Sequence, residues 1–160
     1  RPARIPAFDI GSSRVMDSTG ALQLEDIPES LLVVGGGYIG LEMGTVYAEL
    51  GSRVSVVELT DSLLPGADRD LVKPLHKRLG DLFEAIRLNT KVTGLKDNGN
   101  GVDVSFEGPE GQTTETFSRV LVAVGRRPNS DGIGLENTNV VVDSKGFVEV
   151  DKQQRTADSR

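Results

Sequence analysis

The chain has 160 residues, of which 37% are hydrophobic and 26% charged, and its net charge at pH 7 is −6. This composition is typical of one globular domain, and no apolar run approaches the ~20 residues of a bilayer span, which predicts no membrane insertion. The acidic balance argues against a nucleic-acid surface, because phosphate binding requires a basic patch. The sequence contains no cysteine, which excludes disulfides, cysteine nucleophiles and thiolate metal sites.

The first 29 residues show little periodicity. Asp17 is placed to cap a short helical turn that would include Ala21 and Leu22. No hydrophobic run near the N-terminus is typical of a secretory signal, so we expect a cytoplasmic protein. The sequence begins with Arg1 rather than Met, which we interpret as a piece of something longer.

A strand, a helix and a second strand follow in fewer than thirty residues. Residues 31–34 form a short apolar run that predicts a strand buried on both faces. Residues 38–50 carry apolar side chains at helical spacing, and Gly51 follows where a helix C-cap would stand. A second apolar run covers residues 54–57 and ends in Glu58. This order predicts a right-handed βαβ unit.

Beyond this unit the pattern predicts one more helix and a series of short strands. The helix has an apolar stripe from Leu71 to Leu82, with Asp68 as its N-cap. Turns rich in Gly and Asn separate the strands and indicate an antiparallel meander. The predicted later strands cover residues 85–88, 91–96, 102–106, 113–117, 120–124 and 147–150. The fold class is therefore α/β, a Rossmann-like doubly wound parallel sheet of order 3-2-1-4, with the meander as the crossover between its third and fourth strands.

The motif GxGxxG stands at the junction of the first strand and the first long helix. Gly35 would permit the tight turn, Gly37 would let the backbone approach a pyrophosphate, and Gly40 would let the helix pack closely on the sheet. The helix N-terminus offers N–H groups and a partial positive charge to such a diphosphate. The alternative is a glycine-rich turn with no ligand.

Glu58 supports a dinucleotide, because it ends the second strand 23 positions after Gly35. A carboxylate there can accept both adenosine ribose hydroxyls and would repel a 2′-phosphate, which favours NAD over NADP. No Lys or Arg lies in residues 59–67 to receive such a phosphate. Two alternatives stay open: Glu58 is a solvated strand end, or FAD binds at the same fingerprint.

Three stretches carry a resemblance to the pyridine-nucleotide disulfide oxidoreductases: LVVGGGYIGLEMG at 32–44, VVE at 56–58 and VAVGRRPN at 122–129. In that family an NAD domain is inserted between two halves of an FAD domain, and a dimerisation domain follows. The resemblance implies that residues 30–150 are the NAD-binding domain. It also implies that residues 1–29 lead in from the FAD domain and residues 151–160 lead back to it.

The resemblance implies a cofactor-binding set and no metal ligand or catalytic residue in this stretch. Tyr38 would act as an aromatic lid over a flavin, or is simply an exposed aromatic at a helix start. Glu42 would lie near the nicotinamide, or is an acid favoured in the first turns of a helix. Val92 would line the adenine pocket, or belongs to the sheet core. The set is Gly35, Gly36, Gly37, Tyr38, Ile39, Gly40, Leu41, Glu42, Glu58, Val92 and Gly125.

The resemblance also implies the cofactors and partners. NAD would bind here, and FAD would bind in the intact parent but not to this chain. The partners would be the absent FAD and dimerisation domains and, for the member that the sequence resembles most, a 2-oxoacid dehydrogenase complex. We expect a monomer that binds neither nucleic acid nor membrane.

Several family features are missing from the sequence, including the CxxxxC redox pair and the His-Glu acid-base pair. We interpret His76 as a solvated helical residue, and Arg126 and Arg127 as a turn that joins domains rather than a phosphate clamp. A rival interpretation is a redox-sensing module that uses NAD as an effector. Others are a domain of another flavoprotein reductase of the family and a complete small NAD dehydrogenase.

Overall fold

The computed structural model describes residues 1–159, which divide into two compact units. One unit is Pro2–Gly125, and the other is formed by Arg1 together with residues 126–159. Every residue of the expected cofactor-binding set lies in Pro2–Gly125. Among the described residues, no helix is long and apolar enough to cross a membrane.

The Pro2–Gly125 unit contains a parallel sheet and an antiparallel meander. The parallel sheet has the order β1-β8-β2-β3-β4, and the meander has the order β5-β6-β7. The sheet confirms the predicted 3-2-1-4 arrangement, read here as β4-β3-β2-β8, and adds β1 at its edge. The strands are β1 Val15–Met16, β2 Ser30–Val34, β3 Arg53–Val57, β4 Ala85–Arg87, β5 Lys91–Asp97, β6 Val102–Gly108, β7 Gly111–Phe117 and β8 Arg119–Val122.

Three α-helices belong to the same unit, and two of them begin at acidic caps. In α1 (Ser18–Ala21) the Asp17 carboxylate accepts from the Thr19 and Gly20 amides at 2.8 and 3.0 Å. In α3 (Arg69–Leu82) the Asp68 carboxylate accepts from the Asp70 amide at 3.0 Å. Both caps confirm the predicted starts. The remaining helix, α2, spans Tyr38–Glu49 and confirms the helix of the βαβ unit.

The parallel sheet has a hydrophobic core on each face. Along β2, Leu31 and Val33 pack in the cluster that includes the helices, whereas Leu32 and Val34 pack against the meander. Alternate residues of a strand point to opposite faces, so a run of apolar residues is buried on both sides. The sheet is thus covered by helices on one face and by β5–β7 on the other, and its carboxyl-terminal edge stays available for a ligand.

The other unit contains one short 3-10 helix, Leu135–Asn137, and a series of turns. The Asp143 carboxylate accepts from the Lys145 and Phe147 amides, both at 2.8 Å. The strand predicted at residues 147–150 is wrong: in the described chain Val148 makes an isolated antiparallel bridge with Val142 instead. A tight Asp-capped turn holds this segment in place of a ladder.

Candidate nucleotide site

The glycine loop after β2 adopts a backbone that only glycine tolerates well. Gly35 has φ +110°, and its N–H donates to the Val57 carbonyl at 2.8 Å. A Cβ at this position would lie 2.6 Å from the Ala123 carbonyl oxygen. The loop therefore passes directly between the ends of β3 and β8, as the first glycine of the motif predicts.

The third glycine of the motif brings α2 against the sheet. A Cβ on Gly40 would lie 2.2 Å from the Gly35 carbonyl oxygen and 3.0 Å from the Val33 side chain. Gly44, one turn later, would bring its Cβ within 3.1 Å of the Phe83 ring. The small residues on this face allow a helix approach that side chains would block.

The second glycine is different, because space lies beside it. Gly37 is the N-cap of α2, and a Cβ there would meet nothing within 4 Å. The N–H groups of the first helical turn have no intrahelical acceptor, so this end of α2 can donate to an anion. This opening is the place where the motif predicts a pyrophosphate.

The Glu58 carboxylate binds the glycine loop directly. Glu58 is 9% exposed, and its Oε2 accepts from the Gly36 amide at 2.7 Å. Its Oε1 accepts from the amide and the hydroxyl of Thr60, both at 2.9 Å. The ends of β2 and β3 are thereby joined through one side chain, and the carboxylate is held beside the start of α2. The sequence placed Glu58 at this edge but gave no sign of its bonds to Gly36 and Thr60.

The loop between β3 and α3, residues 59–68, packs on the glycine loop. Leu63 is fully buried, and a Cβ on Gly36 would lie 2.8 Å from the Leu63 side chain. The Leu64 amide donates to the Gly36 carbonyl at 2.9 Å. The guanidinium of Arg69 donates to loop carbonyls. Thr60 and Leu63 were not singled out by sequence, because a loop has no periodicity that reports such contacts.

The chain between β4 and β5 reaches the same edge. The Asn89 amide donates to the Thr60 carbonyl at 2.9 Å, and the Thr90 amide donates to the Glu58 carbonyl at 3.0 Å. Val92, two residues later in β5, is 7% exposed in the core cluster between sheet and meander. Its packing agrees with the sheet-core alternative, and a contact between Val92 and a cofactor stays a prediction.

The remaining members of the expected set lie around α2 and after β8. Tyr38 is 61% exposed and Glu42 is also exposed, whereas Ile39 is half-buried. Leu41 lies in the core, and its N–H donates to the Gly37 carbonyl at 3.0 Å. Gly125 has φ +134°, and its carbonyl accepts from the Ala3 amide at 3.0 Å. Cofactor contacts by these residues stay predictions.

The remaining polar groups that bear on the predictions differ in exposure. His76 is half-exposed on α3, and Arg126 and Arg127 are exposed in the unit of residues 126–159. Burial raises the pKa of the Tyr47 hydroxyl, which donates to the Ala21 carbonyl at 2.9 Å on the helix side of the sheet. No group of three or more His, Cys, Asp or Glu among residues 1–159 could hold a metal ion.

Comparison with known proteins agrees with this geometry. The family described as pyridine nucleotide-disulphide oxidoreductase matches residues 1–160. A dihydrolipoyl dehydrogenase from Vibrio parahaemolyticus is 47% identical over 157 residues, which cover 98% of this chain and 33% of that protein. One from Staphylococcus aureus is 42% identical with the same coverage. The chain spans about a third of the length of these relatives.

Solved structures give the same result for the fold. The HOCl-induced flavoprotein disulfide reductase RclA from Escherichia coli superimposes with a TM-score of 0.81 at 32% identity. The match covers 99% of this chain and 36% of that chain. LpdA from Mycobacterium tuberculosis superimposes with a TM-score of 0.81 at 29% identity, over 98% of this chain and 34% of that chain.

Proposed function

Because the chain belongs to the pyridine nucleotide-disulphide oxidoreductase family, we propose that it is the NAD(H)-binding domain of a dihydrolipoyl dehydrogenase. The parent would oxidise dihydrolipoamide in a cytoplasmic 2-oxoacid dehydrogenase complex and contribute to redox homeostasis. It would pass a hydride through FAD to NAD. This chain would hold the NAD and not the FAD.

The observation that carries the proposal is the hydrogen bond between the Gly36 amide and the Glu58 carboxylate. It places an acidic acceptor beside the helix start that can receive a diphosphate. In NAD the adenosine ribose is joined directly to the pyrophosphate. A ligand that needs a ribose acceptor and a phosphate cradle side by side therefore fits this edge.

The state of Glu58 favours NAD over NADP. Three donors occupy its two oxygens, and a carboxylate has about four acceptor positions, so one position is left for a ribose hydroxyl. A 2′-phosphate would bring further negative charge against a nearly buried carboxylate, and that arrangement costs free energy.

The glycine loop supports the phosphate part of the proposal. The opening beside Gly37 admits a pyrophosphate, and Gly35 and Gly40 keep the loop tight against the sheet. When bound, the nicotinamide accepts or gives a hydride. The residues of this chain bind and orient the dinucleotide for that step. The chain has no cysteine, so it cannot supply the thiol chemistry of the parent and is inactive alone.

Calorimetric titration of the 160-residue chain with NADH, NADPH and FAD tests the proposal. We expect NADH to bind most tightly and FAD not to bind. Glu58→Ala should weaken NADH binding by about 1 to 3 kcal/mol, because hydrogen bonds to a charged group are lost. Glu107→Ala, which removes an exposed carboxylate from β6, is the matched control and should bind NADH like the unsubstituted chain. Preference for NADPH, binding of FAD alone, or full affinity in Glu58→Ala would overturn the proposal.

A second candidate parent is another flavoprotein disulfide reductase, and the similarity to RclA favours it. The dinucleotide site of this chain would be the same in either parent. Activity of the full-length parent on dihydrolipoamide separates the two: rapid reduction of NAD selects the first candidate, and its absence selects the second.

A further inference from the structure

Arg69, the first residue of α3, is bound by the loop that precedes it. Its Nη2 donates to the carbonyls of Leu64 and Ala67, both at 2.8 Å, and its Nε donates to Ala67 at 3.1 Å. Its Nη1 donates to the Leu63 carbonyl at 3.2 Å. A guanidinium carries five N–H groups, so nearly all of its hydrogen-bonding capacity is used within this loop.

The loop that Arg69 holds forms a wall of the candidate site. Leu63 and Leu64 cover Gly36, one by packing and the other by the hydrogen bond from its amide at 2.9 Å. Thr60, in the same loop, donates twice to the Glu58 carboxylate. A loosened loop would therefore free both the Glu58 carboxylate and the Gly36 peptide.

Arg69 is also the first cation after Glu58 in the sequence, since residues 59–67 contain no Lys or Arg. Arg87, the last residue of β4, is a second cation near this edge, and its carbonyl accepts from the Glu58 amide at 2.8 Å. Its guanidinium donates to both oxygens of Glu115 at 2.7 and 2.8 Å and lies 5.1 Å from the Phe106 ring centroid. The Arg69 guanidinium thus binds loop carbonyls and the Arg87 Nη2 binds Glu115, whereas the buried Nε of Arg87 has no hydrogen-bond partner.

We propose that Arg69 is a positioning residue that sets nucleotide specificity. By tying residues 63–67 together, it holds the loop that orients Glu58 toward a ribose hydroxyl. The same hydrogen bonds withhold its guanidinium from a 2′-phosphate. The inference rests on the proposed function, in which the adenosine ribose of NAD lies at Glu58.

The test titrates NADH and NADPH into four variants: Arg69→Ala, Arg69→Lys, Glu58→Gln and the double variant Glu58→Gln with Arg69→Ala. We expect Arg69→Ala to raise the Kd for NADH roughly tenfold. The loop that orients Glu58 would then lose the charge-assisted hydrogen bonds that hold it. Arg69→Lys should restore part of that affinity. Glu58→Gln should weaken NADH binding and should not make NADPH the preferred ligand, because the loop carbonyls withhold the Arg69 guanidinium from the phosphate.

Two results would overturn the inference. One is an unchanged Kd for NADH in Arg69→Ala. The other is a Glu58→Gln variant that prefers NADPH and loses that preference when Arg69→Ala is added, because Arg69 would then be available to a phosphate. If the unsubstituted 160-residue chain binds neither NADH nor NADPH, the proposed function fails and this inference fails with it. If the unsubstituted chain binds NADH, an unchanged Kd in Arg69→Ala contradicts the inference about Arg69 and leaves the proposed function in place.

Amide hydrogen exchange separates positioning from a general loss of stability. In Arg69→Ala the Gly36 and Leu64 amides should exchange about tenfold faster, while the Val33 and Val56 amides inside β2 and β3 keep their protection. Faster exchange at all four amides would mean that Arg69 stabilises the unit as a whole, and the inference would fall. Arg78→Ala, which removes an exposed arginine from the same helix, is the control and should change neither affinity nor exchange.

Discussion

Replacing Gly40 by alanine has two opposing effects on the free energy of unfolding. Alanine is favoured over glycine inside a helix by about 0.8 to 1 kcal/mol. In α2, however, the new Cβ would lie 2.2 Å from the Gly35 carbonyl oxygen, and real Cβ contacts essentially never fall below 3.0 Å. The helix or the loop must therefore move by 0.8 Å (3.0 minus 2.2) or more.

The atom that must yield is backbone and is held in place. The Gly35 carbonyl shares its peptide group with the Gly36 N–H, which donates to the Glu58 carboxylate at 2.7 Å, and the Gly35 N–H donates to Val57. The Val33 side chain lies 3.0 Å from the same Cβ in the closed core. Overpacking of this kind costs about 1 to 3 kcal/mol, and the rigid partner favours the upper end. After the helix gain is subtracted, Gly40→Ala should lower the free energy of unfolding by about 2 kcal/mol.

Urea and thermal unfolding measure this difference. For a chain of this size, 2 kcal/mol corresponds to a fall in Tm of about 4 to 8 °C. Gly80→Ala is the matched control, because Gly80 lies in α3 and its Cβ would meet nothing within 4 Å. That variant should be more stable by up to about 1 kcal/mol. Equal changes in the free energy of unfolding of the two variants, or a Gly40→Ala variant as stable as the unsubstituted chain, would refute the reasoning.

Two further predictions concern a binding residue and a titrating group. Gly37→Ala should change the free energy of unfolding by no more than about 1 kcal/mol, since its Cβ meets open space. It should weaken NADH binding at least tenfold, because the methyl group occupies the path of the pyrophosphate. Urea unfolding and NADH titration of the same preparation measure the two effects, and an unchanged affinity would contradict the pyrophosphate site at Gly37. The Ser12 hydroxyl, with the Gly99 amide, lowers the pKa of Asp97, so the stabilisation is present above the unfolded pKa and is lost as pH falls through the lower folded pKa. Ser12→Ala should raise the Asp97 pKa toward its ordinary value in a carboxyl-carbon NMR titration, and an unchanged curve would show that this hydroxyl is not the cause.

The parallel order of the sheet could be predicted because each central strand is a continuous apolar run next to a helix or a turn. β1 could not be predicted, since Val15 and Met16 are too few to show a period of two. The strand expected at residues 147–150 failed for the opposite reason. Its alternating residues resemble a strand, but Asp143 closes a turn there and the described chain supplies a single bridge, from Val142.

At the site, sequence identified the residues whose backbone or chain position has a fixed geometric meaning. Gly35, Gly40 and Glu58 are of that kind, because a strand end and a helix start determine where they lie. The contacts of Thr60 and Arg69 depend on the path of an irregular loop. A guanidinium that binds backbone carbonyls has the same sequence signature as a solvated arginine, so these hydrogen bonds are visible only in the folded structure.

The two-residue strand β1 has a consequence for solubility. Val15 and Met16 pair with Val120 and Leu121, so β8 is an interior strand. A chain trimmed to begin at residue 30, where the βαβ pattern starts, would lose β1 and leave one side of β8 with unpaired N–H and C=O groups. Exposed apolar edges of that kind recruit strands from other molecules and aggregate. The stretch with the least regular sequence is thus the part that covers this side of β8.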